Sequence, residues 1–271
     1  MAAVSFNSSG HLIAGQLHPR AYEHEAAYRA YLFGPFRLYH GRQRLDEDML
    51  RRKKARLILV WFLLNPGKPG SMEQFIDMFW PDSPPLKAIG NFHVAMHSLR
   101  RTLEPRLPTG QQSSFIRRRP NNFYSFEDGE DWWTDTRDLE LLFERAYAYD
   151  SRGDRRRACF YYRRVANYGV QGLLPGHECG DWLTAHQRRY EQIYAQALTR
   201  LMELHMESDE SEELLEYAYR LLQFDHQNVV ATQVIIDSYL KFGDVRRARH
   251  MLKSFLESLP RDLREALSRA S

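Results

Sequence analysis

The sequence predicts a mainly α-helical protein of two parts, a small mixed α/β unit followed by an all-α unit of stacked helix pairs. Three observations predict it. Between residues 31 and 126 short alternating runs give way to three amphipathic segments and then to a basic β-prone pair. Beyond residue 130 the text reads as helix after helix, with an internal echo at a separation of 90 residues. Charge divides in the same place: residues 30–129 hold 16 Lys/Arg against 9 Asp/Glu, and residues 130–271 hold 20 against 24. A basic front half and a mildly acidic back half direct any polyanion to the front.

In chain order, residues 1–29 form an extension, polar at first and helical from about Tyr22, with no function assigned. From Tyr31, the positions Leu32, Phe36, Leu38 and Leu45 are interrupted by Gly34-Pro35 and His40-Gly41, which predicts short strands and tight turns. A helix is expected from about Asp48 to Leu64, with Leu50, Leu57, Trp61 and Leu64 on one face, and Asn65-Pro66-Gly67 ends it. Its start is very basic (Arg51, Arg52, Lys53, Lys54, Arg56), which suits either phosphate contacts or a solvated face. A second helix begins at Ser71, where Ser71 and Gln74 have the spacing of a capping box. Phe75, Met78 and Phe79 give it a buried side, and Trp80-Pro81 stops it.

The third helix, across Asp82–Glu104, is the element around which the front half is organised. At about 100° per residue, Phe92, Met96, Leu99 and Leu103 align, with Ala88 and Ala95 beside them. The opposite side carries Lys87, Gly90, Val94, His97, Ser98 and Arg101, flanked by Asn91 and His93. Ser83 is the expected N-cap, with Pro84 or Pro85 in the first turn. Such a helix fits a major groove, where Asn takes adenine bidentately and Lys or Arg addresses guanine or phosphate. Asn91, Lys87 and Arg101 are the candidates for those roles; Val94 meets a thymine methyl or belongs to the core. Arg100 lies nearer the buried edge, where an intradomain salt bridge is expected. After a loop, Phe115–Arg119 and Phe123–Phe126 flank Pro120-Asn121-Asn122, a hairpin whose asparagines tolerate left-handed backbone. Arg117, Arg118 and Arg119 lie on its ascending arm. Strands, three helices and a basic hairpin follow the order of a winged helix-turn-helix.

The boundary is placed at 129/130, after which composition shifts. Arg152-Gly153-Asp154-Arg155-Arg156-Arg157-Ala158 echoes Phe242-Gly243-Asp244-Val245-Arg246-Arg247-Ala248. A long helix is expected over Asp181–Met206 and another over Glu212–Phe224, with Ala158, Ala218 and Ala248 at close helix crossings. Tyr147, Tyr149, Phe160, Tyr161, Tyr162, Tyr168, Trp182 and Tyr190 make this half aromatic, as inter-helix core or as a ligand groove. The longest apolar run, Leu57–Leu64, is eight residues, well short of a membrane span. The two cysteines, Cys159 and Cys179, form no disulfide framework, and His177 with Cys179 lacks the second pair a zinc site needs. No Gly-rich phosphate loop, H-E-x-x-H or G-x-S-x-G is present, so no enzyme, metal or cofactor is expected, and the chain reads as cytoplasmic.

The run RRKKARLILVWFLLNPGKPGSMEQFIDMFWPDSPPLKAIGNFHVAMHSLRRTLEPRL resembles the OmpR-like winged helix of the Streptomyces antibiotic regulatory protein family. The text from DWWTDTRDLELLFERA through LLPGHECGDWLTAHQRRYEQIYAQALTRLMEL resembles that family's bacterial transcriptional activator domain, and together they cover roughly residues 31–260. The resemblance implies a transcription activator that binds double-stranded DNA at promoter direct repeats and recruits RNA polymerase. By position it implies a recognition helix over Lys87–Arg101, a wing over Arg117–Asn122 reaching a minor groove, and a polymerase-facing turn over Pro81, Asp82, Ser83, Pro84 and Pro85. Asn121-Asn122-Phe123-Tyr124 departs from the family's Gly-rich wing turn. With neither an ATPase module nor a receiver in the sequence, regulation is expected to enter through the helical half, as a homodimer or with another regulatory protein. The DNA-binding set is therefore Lys87, Asn91, Val94, His97, Ser98, Arg101, Arg117, Arg118 and Arg119, with Arg52, Lys53 and Lys54 behind them. The rival reading is a protein-interaction adaptor whose winged helix no longer binds DNA.

Overall fold

The computed structural model describes residues 5–6, 12–13, 23, 25–45, 53–108, 110–176, 180–206 and 211–262. They divide into two compact units, Met1–Glu140 with Gln171–Gln187, and Leu141–Val170 with Arg188–Ser271. The division differs from the 129/130 junction read from composition. The strand after that junction pairs backward into the first unit, and so does the segment around Leu173.

In the first unit, β1 (Ser5–Phe6) and β2 (Leu12–Ile13) pair with each other, and β3 (Tyr28–Tyr31), β4 (Arg37–His40) and β5 (Gln43–Arg44) form an antiparallel run. β3 thus begins at Tyr28, at the end of the stretch whose sequence suggested helix from about Tyr22. β9 (Trp132–Thr134) joins the other side of β3 in parallel, with Tyr28 opposite Trp132. The rings of that pair stack at 4.6 Å, and His40 stacks on the other face of Tyr28 at 4.4 Å. The Asp135 carboxylate accepts from the N–H groups of Leu32 (2.8 Å) and Phe33 (2.9 Å), tying the end of β3 to the chain beyond β9. Burial pushes its pKa up to about 7, against the lowering pull of those donors. Arg137 and Asp128 form a buried ion pair beside it.

Three helices follow: α1 (Lys53–Leu64), α2 (Met72–Phe79) and α3 (Pro85–Leu103), with β6 (Gly70–Ser71) between the first two. α1 is buried continuously from Leu57 to Leu64, not on one face alone, because eight successive apolar residues leave no polar side to expose. α2 starts as its capping spacing predicts, with the Ser71 hydroxyl accepting from Gln74 N at 3.1 Å, and it ends at Trp80. Phe75 is the hub of this core: Trp61, Phe62 and Phe92 all lie with ring centroids 5.0–6.0 Å from it. A Cβ on Gly70 would stand 2.5 Å from the Phe75 ring, so glycine is required there for the strand to pass. β7 (Ile116–Arg119) and β8 (Phe123–Phe126) form the hairpin, and β6 pairs with β8.

The second unit is helical among its described residues. α4 (Asp135–Asp150) enters it, followed by α5 (Arg155–Gly169), the later part of α6 (Asp181–Met206), α7 (Ser211–Phe224), α8 (Val229–Lys241) and α9 (Val245–Ser258). The two echoing stretches take the same local structure. Gly153 and Gly243 both have φ of 75°, a conformation that favours glycine. Asp154 and Asp244 each cap the next helix by accepting from Arg157 N and Arg247 N. Arg157 lies over Tyr149 and Arg247 over Tyr239, again 90 residues apart. Ala158, Ala218 and Ala248 are all buried, as expected of close crossings. The aromatic set divides: Tyr162 and Tyr190 are core, while Tyr147 and Phe160 are exposed. Trp182 belongs to the first unit and packs edge-on against Phe79.

Candidate nucleic-acid interface

α3 is placed by what its inner face touches. Ala88, Phe92, Ala95, Met96, Leu99 and Leu103 are buried, the six positions that periodicity selected. Its N-cap is Pro84 rather than Ser83, with no side-chain hydrogen bond: Pro85 occupies the first helical position, and Ala88 N bonds to Pro84 O at 2.9 Å. Two consecutive prolines fix the backbone entering the helix, which leaves Ser83 one residue too early to cap it. At the far end the Tyr28 hydroxyl donates to Leu103 O at 2.6 Å, so the β3 strand satisfies a terminal helix carbonyl. Burial raises the pKa of that phenol, which keeps it a donor. Glu104 follows as C-cap and accepts from Ser114 N (2.9 Å) and the Ser113 hydroxyl, which ties the residues before β7 to the end of the helix.

The outer face then points away from the core. Lys87, Val94, His97 and Arg101 are exposed, and Asn91 and Ser98 half-buried. No acidic residue occurs anywhere in Pro85–Leu103. Arg101 is partly committed: its Nη1 donates to Leu107 O at 3.0 Å and reaches Pro105 O at 3.5 Å. The Arg100 Nε is buried without a hydrogen-bond partner among the described residues, and the salt bridge expected of Arg100 does not form there. Pro81, Asp82, Pro84 and Pro85 of the preceding turn are exposed, and Ser83 is half-buried.

The wing turns where the sequence places it. Asn121 and Asn122 have φ of 56° and 55°, the left-handed conformation that asparagine tolerates best after glycine. A pleated strand cannot present three consecutive arginines on one side. Arg118 lies opposite Tyr124, and Tyr124 packs on Phe92 of α3; Arg118 therefore shares the face of the hairpin that meets the helix. Arg117 and Arg119, opposite Ser125 and Phe123, take the other face. Arg118 donates to Asn122 Oδ1 at 2.6 Å, which braces it across the turn. Arg119 is bound to Ser125 Oγ (3.0 Å) and Glu127 Oε1 (2.6 Å), and Arg117 is exposed. Lys53 is exposed and Lys54 half-buried in the first turn of α1. Arg51, Arg52, His177 and Cys179 lie outside the described residues.

Two features escaped the sequence reading. Leu86, 86% exposed, stands on the cationic side of α3 one turn before Gly90, with Val94 (54% exposed), already a candidate from the sequence, one turn after it. Helical spacing on a polar face was the signal that could have found this. In the second unit, an open cleft is lined by Asp244, Arg246, Arg247, His250 and Lys253, and one with Asp154, Arg156, Arg157 and Phe160 occupies the equivalent place in the earlier repeat. Among the described residues no helix is long and apolar enough to cross a membrane, and no cluster of metal-ligating side chains occurs.

No protein-family model and no curated protein matches the chain. Among solved structures, Mycobacterium tuberculosis EmbR, in complex with a low affinity phosphopeptide, is similar with a TM-score of 0.67 at 15% sequence identity. The match covers 91% of this chain and 66% of that one, so this chain spans just under two thirds of the EmbR chain. The chain carries the winged helix followed by a helical-repeat unit that its sequence led us to expect, and it shares that fold with EmbR.

Proposed function

We propose that this protein is a sequence-specific regulator of transcription that binds double-stranded DNA through α3 and the wing. The observation that carries the reading is an outward helix face with no acidic residue, beside a hairpin whose Arg118 lies on the helix-facing side. Affinity then comes from Arg117, Arg118, Arg119, Lys53, Lys54 and Arg52 on phosphates, and sequence information from Lys87, Asn91, Val94, His97, Ser98 and Arg101. Arg101 also braces the loop after α3, which makes it a positioning group as much as a contact. The resemblance to an activator family supports promoter direct repeats as targets and the Pro81–Pro85 turn as the polymerase contact. The helical unit serves dimerisation or another regulatory protein, and the chemistry is binding rather than catalysis.

Recovery of genomic fragments bound by the purified full chain tests this. A regulator enriches a recurring sequence motif upstream of genes. An adaptor whose winged helix docks only protein enriches nothing, and that result rejects the reading.

A further inference from the structure

We propose that Gly90 marks the line along which α3 comes closest to the duplex, and that Leu86 and Val94 on either side of it read thymine methyl groups there. The inference rests on the DNA-binding reading above and names the bases that reading leaves open.

Counting about 100° per residue from the six buried positions, Gly90 falls within roughly 20° of the middle of the outward face. Glycine inside a helix is a poor choice on conformational grounds, since it orders more backbone than alanine and packs nothing. At the other described glycines of this unit the reason is visible, a left-handed φ or a close approach as at Gly70 against Phe75. Gly90 has none within the fold. Its φ is not left-handed, and a Cβ built on it would meet nothing within 4 Å. The missing side chain therefore leaves room for something outside the chain to approach the helix backbone.

The neighbours say what would fit. Leu86 and Val94 are four residues before and after Gly90, so the three make one ridge: apolar, bare, apolar. Lys87, His97 and Arg101 surround that ridge, and α3 itself carries no carboxylate. A polyanion with apolar points on its floor matches such a surface, and in a major groove those points are the C5-methyl groups of thymine. An apolar groove on a protein partner is the competing occupant.

The test uses the full chain and a sequence selected by it from a random duplex pool. Each thymine of the selected site is replaced in turn by deoxyuridine, which removes only the methyl group. Gly90→Ala, Leu86→Ala and Val94→Ala are measured beside the native chain for affinity and melting temperature. The expected result is a Gly90→Ala protein that melts higher yet binds the selected site about tenfold more weakly, with binding to unrelated duplex unchanged. Deoxyuridine at one or two positions should weaken the native chain several-fold, and Leu86→Ala or Val94→Ala should lose sensitivity at one of them. Undiminished affinity in Gly90→Ala, or a native chain indifferent to every deoxyuridine, overturns the inference while leaving DNA binding intact. If the native chain selects no sequence at all, the DNA-binding reading itself fails and the inference with it.

Discussion

Phe92 of α3 and Tyr124 of the wing strand β8 meet edge to face, with ring centroids 5.2 Å apart and planes inclined at 68°. Both are buried, and Phe92 also faces Phe75 of α2 at 6.0 Å. This contact sets helix and wing against each other together with Glu104, which ties the chain before β7 to the end of α3. Phe92→Ala should cost about 3–5 kcal/mol, because it removes a fully buried ring at the junction of three elements. Thermal melting checks this; a fall of under 1 kcal/mol, on the order of a surface change, would mean the junction is held otherwise.

The three wing arginines should not behave alike. Arg117→Ala and Arg118→Ala should each reduce the salt slope of DNA binding by about 1 and weaken all sequences alike. Arg119→Ala should reduce it less, since Glu127 and Ser125 already occupy that guanidinium. Melting should stay nearly unchanged in all three, as expected for exposed side chains. Titrations at several salt concentrations separate the cases, and equal slopes for the three variants would refute the claim that Glu127 and Ser125 withhold Arg119 from the duplex.

Asp135 gives the first unit a pH dependence. Its pKa rises from 3.8 to about 7 on folding, so the folded chain holds a proton that the unfolded chain releases. Stability from the neutral, buried carboxyl is complete at low pH and is lost as pH climbs through about 7. Asp135→Asn keeps an acceptor for Leu32 and Phe33 N–H while removing the titration, so it should flatten the fall in stability between about pH 4 and 7. Denaturant melts across that range decide it; parallel curves for the two proteins would contradict the expectation.

The repeat in the helical unit predicts matched effects. Asp154→Ala and Asp244→Ala each remove an N-cap and should each cost about 1 kcal/mol. Being 90 residues apart in separate repeats, the two should add in the double variant. Chemical denaturation of the three variants measures this. A loss in one alone would show that the two turns, alike in geometry, differ in energy.

What the sequence made legible was what is encoded locally. The inner face of α3 is spelled out by spacing, the start of α2 by Ser71 and Gln74, and the wing turn by two asparagines. The bounds of α6 coincide with the expected Asp181–Met206. What stayed hidden depends on partners distant along the chain. Nothing near Trp132 announces that it lies opposite Tyr28 in a parallel pair, and the composition shifts before the strand that closes the first sheet. Burial of every residue from Leu57 to Leu64 requires helix α1 to be enclosed, which a one-faced pattern does not reveal. At the interface, composition named the cations, but only the register of β7 on β8 told Arg118 from Arg117 and Arg119.

The central claim is that the outward side of α3 and the wing together grip a duplex. Fluorescence anisotropy of the full chain on pooled genomic duplexes, at about 50 and 200 mM salt, addresses it most directly. We expect binding at the lower salt that weakens by orders of magnitude at the higher, and a shallower dependence for Arg117→Ala with Arg118→Ala. Absence of binding at the lower salt, or binding indifferent to salt and to those two arginines, would contradict the account.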